Sequence, residues 1–519
     1  MNFLSLVYAV FLLSVGAIYW AAPRQQWRLW ALLAASAVFY ASLDTGRTLP
    51  WQVYYLPLLF AIVLVNFRLA LELGEDATLR PHATDAQLSN EDWLFAQQDW
   101  NRRRIKILWF GIVVDVLLLL GFKYVPFLLA SIGTLVRWPA LQDLAIQTDT
   151  SLVAPLALSY FCFECIAYLV DVYRGAPAAQ KLLPFAAYKL FFPKLLSGPI
   201  TRYHQWTAQL NVLKFPATDQ IAEGLWLIAT GAVKKALLAD NLGLVVDGIF
   251  NNLLRAGSGD LWLATFAYGL QLYLDFSGYV DMARGSAILL GFNLPQNFDF
   301  PYFSTNIADF WRRWHITLGD WLRNYLYFPL GGSRQGLRRT CLNLLIIMLV
   351  AGIWHGAAWG FVVWGGIHGI ALVAHRLTAE LPKHPALEAR RQLFEGWWQS
   401  WPGIVFAWLL TQSTVWFAWI FFRLPNLRES LWVVQHLWGH SADVQFAPKV
   451  YGELIGLYPW QIAPILGAIA VLMAAIYAAN RALKLQLNWP IKIFLIPLCL
   501  YIVWQLAPSE NLTYIYFDF

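Results

Sequence analysis

Long apolar runs separated by short polar segments dominate the chain. A helix needs about 20 mostly apolar residues to cross a bilayer, and the pattern contains eleven to thirteen apolar segments of this kind. The clearest are residues 3–21, 28–44, 51–71, 106–133, 152–172, 222–250, 261–291, 341–375 (read as a broken pair), 402–422, 461–480 and 491–507. Prolines and a glycine interrupt the apolar stretch 182–200, which predicts an interfacial or re-entrant segment. The sequence therefore predicts an all-α, polytopic transmembrane bundle.

Composition supports a membrane protein. Of the 519 residues, 59% are hydrophobic and 13% are charged, whereas soluble domains carry about a quarter charged residues. The net charge of +6 is spread over loops and forms no contiguous basic face, so a nucleic-acid partner is not expected. The apolar N-terminus has no basic region before it and no convincing cleavage site, so we interpret it as a retained first helix.

Arginine and lysine in the short loops predict the orientation. The first loop, 22–28, holds two arginines and the next holds one, whereas the loop 72–105 holds four. Because positive residues accumulate in cytoplasmic loops, the alternation places the N-terminus outside and the 72–105 loop in the cytoplasm. We expect a short surface helix around Trp93 to Trp100 in this loop, and a long polar loop at 376–400.

Cys162 and Cys165 form a C-x-x-C pair. This spacing is found in redox sites and in half of a zinc site. It also fits two small residues on a buried apolar helix, and the chain has no second C-x-x-C pair. The buried helix is therefore the favoured interpretation.

The region 296–340 breaks the membrane pattern. Five ionisable residues lie within twelve positions, and each charge at the bilayer centre costs about 2.5–3.5 kcal/mol. The region is also rich in aromatic residues, so we expect it at an interface or folded back into a protein-lined cavity. Its basic patch suits either an anionic ligand or lipid headgroups, and spacing alone favours the second. The patch consists of Arg312, Arg313, Arg323, Arg334, Arg338 and Arg339.

Histidines follow in the glycine-rich run 351–369. His355 lies between apolar segments, where an ionisable residue is either functional or a hydrogen-bonded core residue; the residues alone support both about equally. His368 and His375 are seven residues apart and share a helix face. No acidic partner accompanies them and no H-E-x-x-H motif occurs, so we predict no metal site.

A third group of ionisable residues interrupts the apolar run 270–285. Asp281 and Arg284 have the spacing of a helical pair, and Asp275 lies on the same segment. A buried structural role and a catalytic role are equally supported.

Several of these segments, taken together, resemble one family. Residues 309–315, DFWRRWH, and 353–356, IWHG, resemble signature motifs of the membrane-bound O-acyltransferases. The runs 191–202 and 273–283 and the terminal YIYFDF resemble the bacterial branch that contains alginate O-acetyltransferases. The resemblance runs in order from about residue 190 to the C-terminus. Thr317, Gly319, Val280 and Asp518 depart from the usual pattern, which puts the substrate and partner in doubt but not the reaction class.

The resemblance implies a single membrane domain over residues 1–519 whose helices surround a funnel. Within it, 1–180 would form N-terminal helices, 190–375 the motif-bearing core and 400–519 C-terminal helices. His355 would be the catalytic base and His315 a second catalytic residue. Candidates for substrate or coenzyme A binding are Asp309, Trp311, Arg312, Arg313 and Trp354.

The resemblance also implies the substrates. The acyl donor would be acetyl-CoA, used as a co-substrate and not as a bound cofactor. The acceptor would be an extracytoplasmic polysaccharide, reached through a partner resembling SGNH hydrolases, and the enzyme would lie in the bacterial inner membrane.

Two other functions stay open at the level of sequence. One is a transporter or flippase in which Asp275, Asp281 and His355 relay protons, although the chain shows no inverted repeat. The other is D-alanyl transfer from a carrier protein, which would need a docking surface instead of a coenzyme A site. The sequence does not separate these two donors.

Overall fold

The computed structural model describes residues 3–43, 52–74, 90–151, 154–380, 396–508 and 514–515, and for 90–100 and 150–151 the backbone alone. Throughout these residues the regular secondary structure is helical, without a β-strand. The predicted all-α fold is confirmed.

Helices follow one another along most of the described part of the chain. The first twelve are Leu6–Ala21, Gln25–Ala41, Gln52–Gly74, Asn90–Leu119, Val125–Leu135, Pro139–Ser151, Leu158–Tyr173, Leu182–Lys189, Tyr203–Leu210, Thr218–Ala232, Asp240–Phe250 and Ser258–Leu289. The others are Ile307–Arg313, Ile316–Leu322, Gly336–His355, Trp359–Glu380, Trp401–Arg423, Leu427–His436, Pro459–Arg481 and Trp489–Leu506. The π-helical segments Leu120–Tyr124 and Val233–Ala239 each join two neighbouring helices into one continuous run.

Seven helices in the described part of the chain are long and apolar enough to cross a membrane. They are Gln52–Gly74, Asn101–Leu135, Gly336–His355, Trp359–Glu380, Trp401–Arg423, Pro459–Arg481 and Trp489–Leu506. Trp489–Leu506 has no residue buried in the protein, so lipid must cover its apolar side chains. The chain is a multi-pass membrane protein.

The predicted segments take different forms in the structure. The broken pair at 341–375 is confirmed as the helices Gly336–His355 and Trp359–Glu380. The segment 261–291 forms the helix Ser258–Leu289, which is less apolar than the seven spans because polar and ionisable residues interrupt it. The stretch 182–200 forms only the eight-residue helix Leu182–Lys189, followed by buried turns.

Two predicted loops contain more helix than expected. The predicted short helix at Trp93 to Trp100 is the beginning of the long helix Asn90–Leu119, because the apolar sequence after it continues the same helical run. Residues 75–89 of that loop lie outside the described residues. In the polar stretch 376–400, the first five residues complete the helix Trp359–Glu380, and 381–395 lie outside the described residues.

The chain divides into two compact units. The first comprises Met1–Gly224 and Ala283–Pro295. Its core includes stacked aromatic rings, with Trp206 and Phe292 at 4.8 Å and nearly parallel. Cys162 and Cys165 are buried thiols on the helix Leu158–Tyr173, as the apolar interpretation of the C-x-x-C pair predicts.

A buried ionic network crosses the core of this first unit. The Glu164 carboxylate accepts hydrogen bonds from the Lys194 ammonium at 2.6 and 2.8 Å and from Lys189 at 3.4 Å. The Tyr160 hydroxyl and the Thr201 backbone N–H also donate to Glu164, at 3.0 and 3.1 Å. The sequence contained a signal for this network that our sequence analysis missed, since its three charged residues, Glu164, Lys189 and Lys194, lie in the apolar stretches 152–172 and 182–200.

The second unit comprises Leu225–Met282 and Gln296–Phe519. Its helices Gly336–His355 and Trp359–Glu380 pack closely, because each carries a glycine at the point where it faces the backbone of the other. A Cβ atom at Gly352 would lie 2.2 Å from the Phe361 carbonyl oxygen, and one at Gly365 would lie 2.4 Å from the Met348 carbonyl oxygen. This close contact fixes the end of the first helix, where His355 lies.

Candidate functional site

His355 lies in an aromatic enclosure in the second unit. It is the last residue of the helix Gly336–His355 and is only 3% exposed. Its imidazole contacts the rings of Trp354 at 4.9 Å, Trp364 at 5.2 Å and Phe422 at 5.0 Å between centroids. These side chains come from three helices, so the enclosure depends on tertiary packing.

His315 joins two short helices, Ile307–Arg313 and Ile316–Leu322, through an unusual backbone conformation. Its φ of 44° and ψ of 55° lie in the left-handed region, which costs a non-glycine residue about 1–3 kcal/mol. The ring is 4% exposed and contacts Phe276 at 4.9 Å. A strained, buried histidine of this kind is typical of functional sites.

Asn297 holds the chain on the C-terminal side of His315. Its backbone carbonyl accepts a hydrogen bond from Ile316 N at 2.9 Å. Its side-chain Oδ1 accepts from Thr317 N at 3.0 Å and from Thr317 Oγ1 at 2.7 Å. Sequence reasoning did not single out Asn297, because an asparagine in the segment QNFDFP looks like an ordinary turn residue.

The indole of Trp354 brings the two histidine motifs together. Its ring centroid lies 4.9 Å from that of His355 and 6.3 Å from that of His315. Burial lowers the pKa of His315 to about 3, so its imidazole is neutral near pH 7. A neutral imidazole has one N–H donor and one nitrogen acceptor, which suits it to orient a reacting group.

The other predicted binding residues separate into different environments. Trp311 lies beside the aromatic enclosure of His355, with its ring centroid 5.6 Å from that of Trp364. Asp309 pairs with Arg313 along the same helix, at 2.9 Å between Oδ2 and Nε. Arg312 is exposed. The motif residues therefore do not form one contact surface.

The basic patch keeps accessible charge. Arg323 pairs with Asp320 at 2.5 Å, and Arg339 donates to the Leu330 carbonyl oxygen. Arg312, Arg334 and Arg338 are exposed. Their guanidinium groups are accessible to an anion, which they can contact through paired N–H donors.

Asp275 belongs to a buried ionic group. The Lys235 ammonium lies 2.6 Å from both the Asp275 and the Asp240 carboxylates. Asp275 also accepts from the backbone N–H of Ile515 at 3.1 Å, near the C-terminus. Asp281 pairs with Lys234 at 2.6 Å, a partner that our sequence reasoning did not consider.

Within the described ranges, no three His, Cys, Asp or Glu side chains are placed to hold a metal ion together. His355, His315 and His368 each lie among aromatic rings.

Comparisons with known proteins point to one family. A model of MBOAT, the membrane-bound O-acyltransferase family, matches residues 176–407, which contain both histidine motifs. The chain is 36% identical to a probable alginate O-acetylase of Azotobacter vinelandii, over 89% of this chain and 82% of the relative. It is 33% identical to a peptidoglycan O-acetyltransferase of Helicobacter pylori, over 79% of this chain and 74% of the relative. A teichoic acid D-alanyltransferase of Bacillus subtilis is 27% identical over 49% of this chain.

Proposed function

The chain belongs to the membrane-bound O-acyltransferase family and is an O-acyltransferase of the membrane, and from this premise we propose its substrates and its catalytic residues. The enzyme moves an acetyl group from cytoplasmic acetyl-CoA toward hydroxyls of an extracytoplasmic polysaccharide. His355 is the catalytic base, and His315 is a second residue of the same site.

The observation that carries this proposal is that His355 and His315 are both buried and both lie next to the Trp354 ring. His355 is 3% exposed, so water has little access to an activated acyl group held beside it. A histidine within hydrogen-bond reach of a hydroxyl can remove its proton as the new bond forms, typically accelerating the reaction 10²–10⁴-fold.

The reaction balances without a cofactor. The acceptor oxygen bonds to the thioester carbonyl carbon while His355 takes the hydroxyl proton. The carbon–sulfur bond then breaks, and the coenzyme A thiolate leaves and takes that proton back from His355. The neutral His315 imidazole hydrogen-bonds a reacting group and keeps it in place.

The basic patch supports coenzyme A as the donor. Acetyl-CoA carries several phosphates, and the exposed Arg312, Arg334 and Arg338 suit them. Positive residues accumulate on the cytoplasmic side of membrane proteins, where acetyl-CoA is made. The alternation of positive charge in the early loops supports an N-terminus outside a bacterial inner membrane.

The names of the relatives support a polysaccharide acceptor. Alginate and peptidoglycan are the polymers in the names of two relatives. The acetyl group is passed on to the polymer by a partner protein outside the membrane, similar to SGNH hydrolases, and a hydroxyl of that partner is the acceptor at His355.

Acyl transfer in vesicles tests this proposal. Purified protein is reconstituted with its candidate partner and supplied with acetyl-CoA labelled in the acetyl group. We expect label to leave coenzyme A with the wild type, and the rate to fall at least 100-fold in His355→Gln. His204→Gln is the matched control, because His204 is an exposed histidine of the first unit; it should keep the wild-type rate.

Three outcomes separate the parts of the proposal. Equal rates for wild type and His355→Gln would show that His355 is structural. A folded wild type that never consumes acetyl-CoA, but accepts D-alanine from a carrier protein, would replace the donor. Label that reaches the polysaccharide without a partner would remove the partner from the scheme.

A further inference from the structure

His368 is a fully buried histidine that the proposed reaction does not use. It lies on the helix Trp359–Glu380 and has no exposed surface. The rings of Trp311 and Trp364 each lie 5.0 Å from its imidazole, that of Trp419 at 6.1 Å and that of Phe310 at 6.3 Å. Among the described residues, neither of its ring nitrogens has a hydrogen-bond partner.

The polar atoms around His368 share this property. The indole nitrogens of Trp311, Trp364 and Trp419 are buried and, in the part of the chain that the structure describes, have no acceptor. A buried polar group without a partner destabilises the fold, and native proteins contain few such groups. Five of them, in His368 and the three tryptophans around it, indicate a bound group that satisfies several at once.

The chemistry of these atoms defines what can bind. Each indole contributes a donor only, and a neutral imidazole contributes one donor and one acceptor. One oxygen can accept from two indoles but reaches only one of the two imidazole nitrogens, which is either the N–H donor or the acceptor. A carbonyl or carboxylate oxygen fits only the tautomer whose N–H faces it, and a cation would meet the N–H donors. A hydroxyl oxygen can both accept and donate, so it fits either tautomer, and a buried water makes two to four hydrogen bonds of this kind.

We propose that His368, Trp311 and Trp364 form a buried binding site for one hydroxyl oxygen, from a water molecule or an alcohol. The site borders the aromatic enclosure of His355, because the Trp364 ring contacts both His368 and, at 5.2 Å, His355. The bound oxygen fixes the Trp364 indole and so makes His368 a positioning residue for His355. This last role rests on the proposed function, whereas binding of the oxygen does not.

Solid-state NMR of the full chain in lipid vesicles tests the binding. Histidines are labelled with ¹⁵N, and magnetisation is transferred from water protons to the ring nitrogens. The His368 signals are identified by their loss in His368→Phe, with His204→Phe as the matched control. If His368→Phe fails to fold, His368→Gln supplies the same assignment while keeping one donor and one acceptor.

Two arms distinguish the sources of the hydroxyl oxygen. Transfer from water to the His368 ring nitrogens identifies a water molecule. Transfer from the carbon-bound protons of added glycerol identifies an alcohol, and either result upholds the hydroxyl site. Absence of both transfers, with ¹⁵N shifts of nitrogens that are not hydrogen-bonded, would overturn it. His368 would then be a core residue whose N–H points at an aromatic face.

Turnover measurements test the positioning role separately. We expect His368→Phe to lower the acyl-transfer rate per folded molecule at least fivefold without changing KM for acetyl-CoA, and His368→Gln to restore most of the rate. Wild-type turnover in His368→Phe would overturn the positioning role. A wild type that transfers no acetyl group would refute the proposed function instead, and the NMR result would still decide the binding.

Discussion

Replacing Asn297 with alanine should weaken both the fold and the reaction. The Asn297 side chain is fully buried and accepts two hydrogen bonds from Thr317, at 3.0 and 2.7 Å. Losing one buried hydrogen bond with its partner group retained costs about 1–3 kcal/mol, so Asn297→Ala should cost roughly 2–6 kcal/mol. The same bonds hold the chain two residues after the left-handed His315 backbone.

Graded variants turn this magnitude into a measurement. Thr317→Val removes the 2.7 Å bond and keeps the bond from the Thr317 backbone N–H, so it should cost about half as much as Asn297→Ala. The double variant should cost clearly less than the sum, because the two residues share the interaction. Asn211→Ala, at an exposed asparagine, is the control and should change stability by less than about 0.5 kcal/mol.

Thermal unfolding in nanodiscs, followed by tryptophan fluorescence, gives the stability, and labelled acetyl-CoA gives the rate per folded molecule. We expect that rate to fall at least tenfold in Asn297→Ala, because a relaxed His315 backbone moves the imidazole away from Trp354. An unchanged unfolding midpoint would refute the hydrogen-bond reasoning. A lower midpoint with the wild-type rate would refute the claim that Asn297 positions His315.

The remaining predictions concern the buried charges and pH. Glu164→Gln should destabilise the chain by about 3–5 kcal/mol, because it leaves the Lys189 and Lys194 ammonium groups buried without a counter-charge. Adding Lys194→Met should recover part of this loss in the same unfolding assay, and full additivity would contradict the coupling. Burial holds the pKa of His315 near 3, below the unfolded value of about 6.5. As pH falls, the unfolded chain therefore takes up the His315 proton before the folded chain does. The contribution of His315 to the free energy of unfolding is full above pH 6.5 and is lost between pH 6.5 and 3, by at most about 1.4 kcal/mol per pH unit. His315→Gln should show a flatter stability profile in that window, and an identical slope would contradict a neutral, buried His315.

Local sequence determined much of this protein. Apolar runs of about 20 residues dictate helices in a membrane, because only helices satisfy backbone hydrogen bonds within one segment. The WHG and DFWRRWH motifs can be recognised in the sequence alone. They indicated the family and made His355 and His315 candidate site residues. The glycines at 352 and 365, which lie in the glycine-rich run of the sequence, face a neighbouring helix in the structure.

Tertiary structure decided which residues meet. Trp354 contacts His315 across a sequence separation of 39 residues, and Phe422 reaches His355 from another helix. No periodicity along one helix encodes such a meeting, since it depends on how separate helices pack. The ionic partners also depend on packing, since Lys235 pairs with Asp275 and Glu164 pairs with Lys194. A buried charge is tolerated only where folding brings an opposite charge to it.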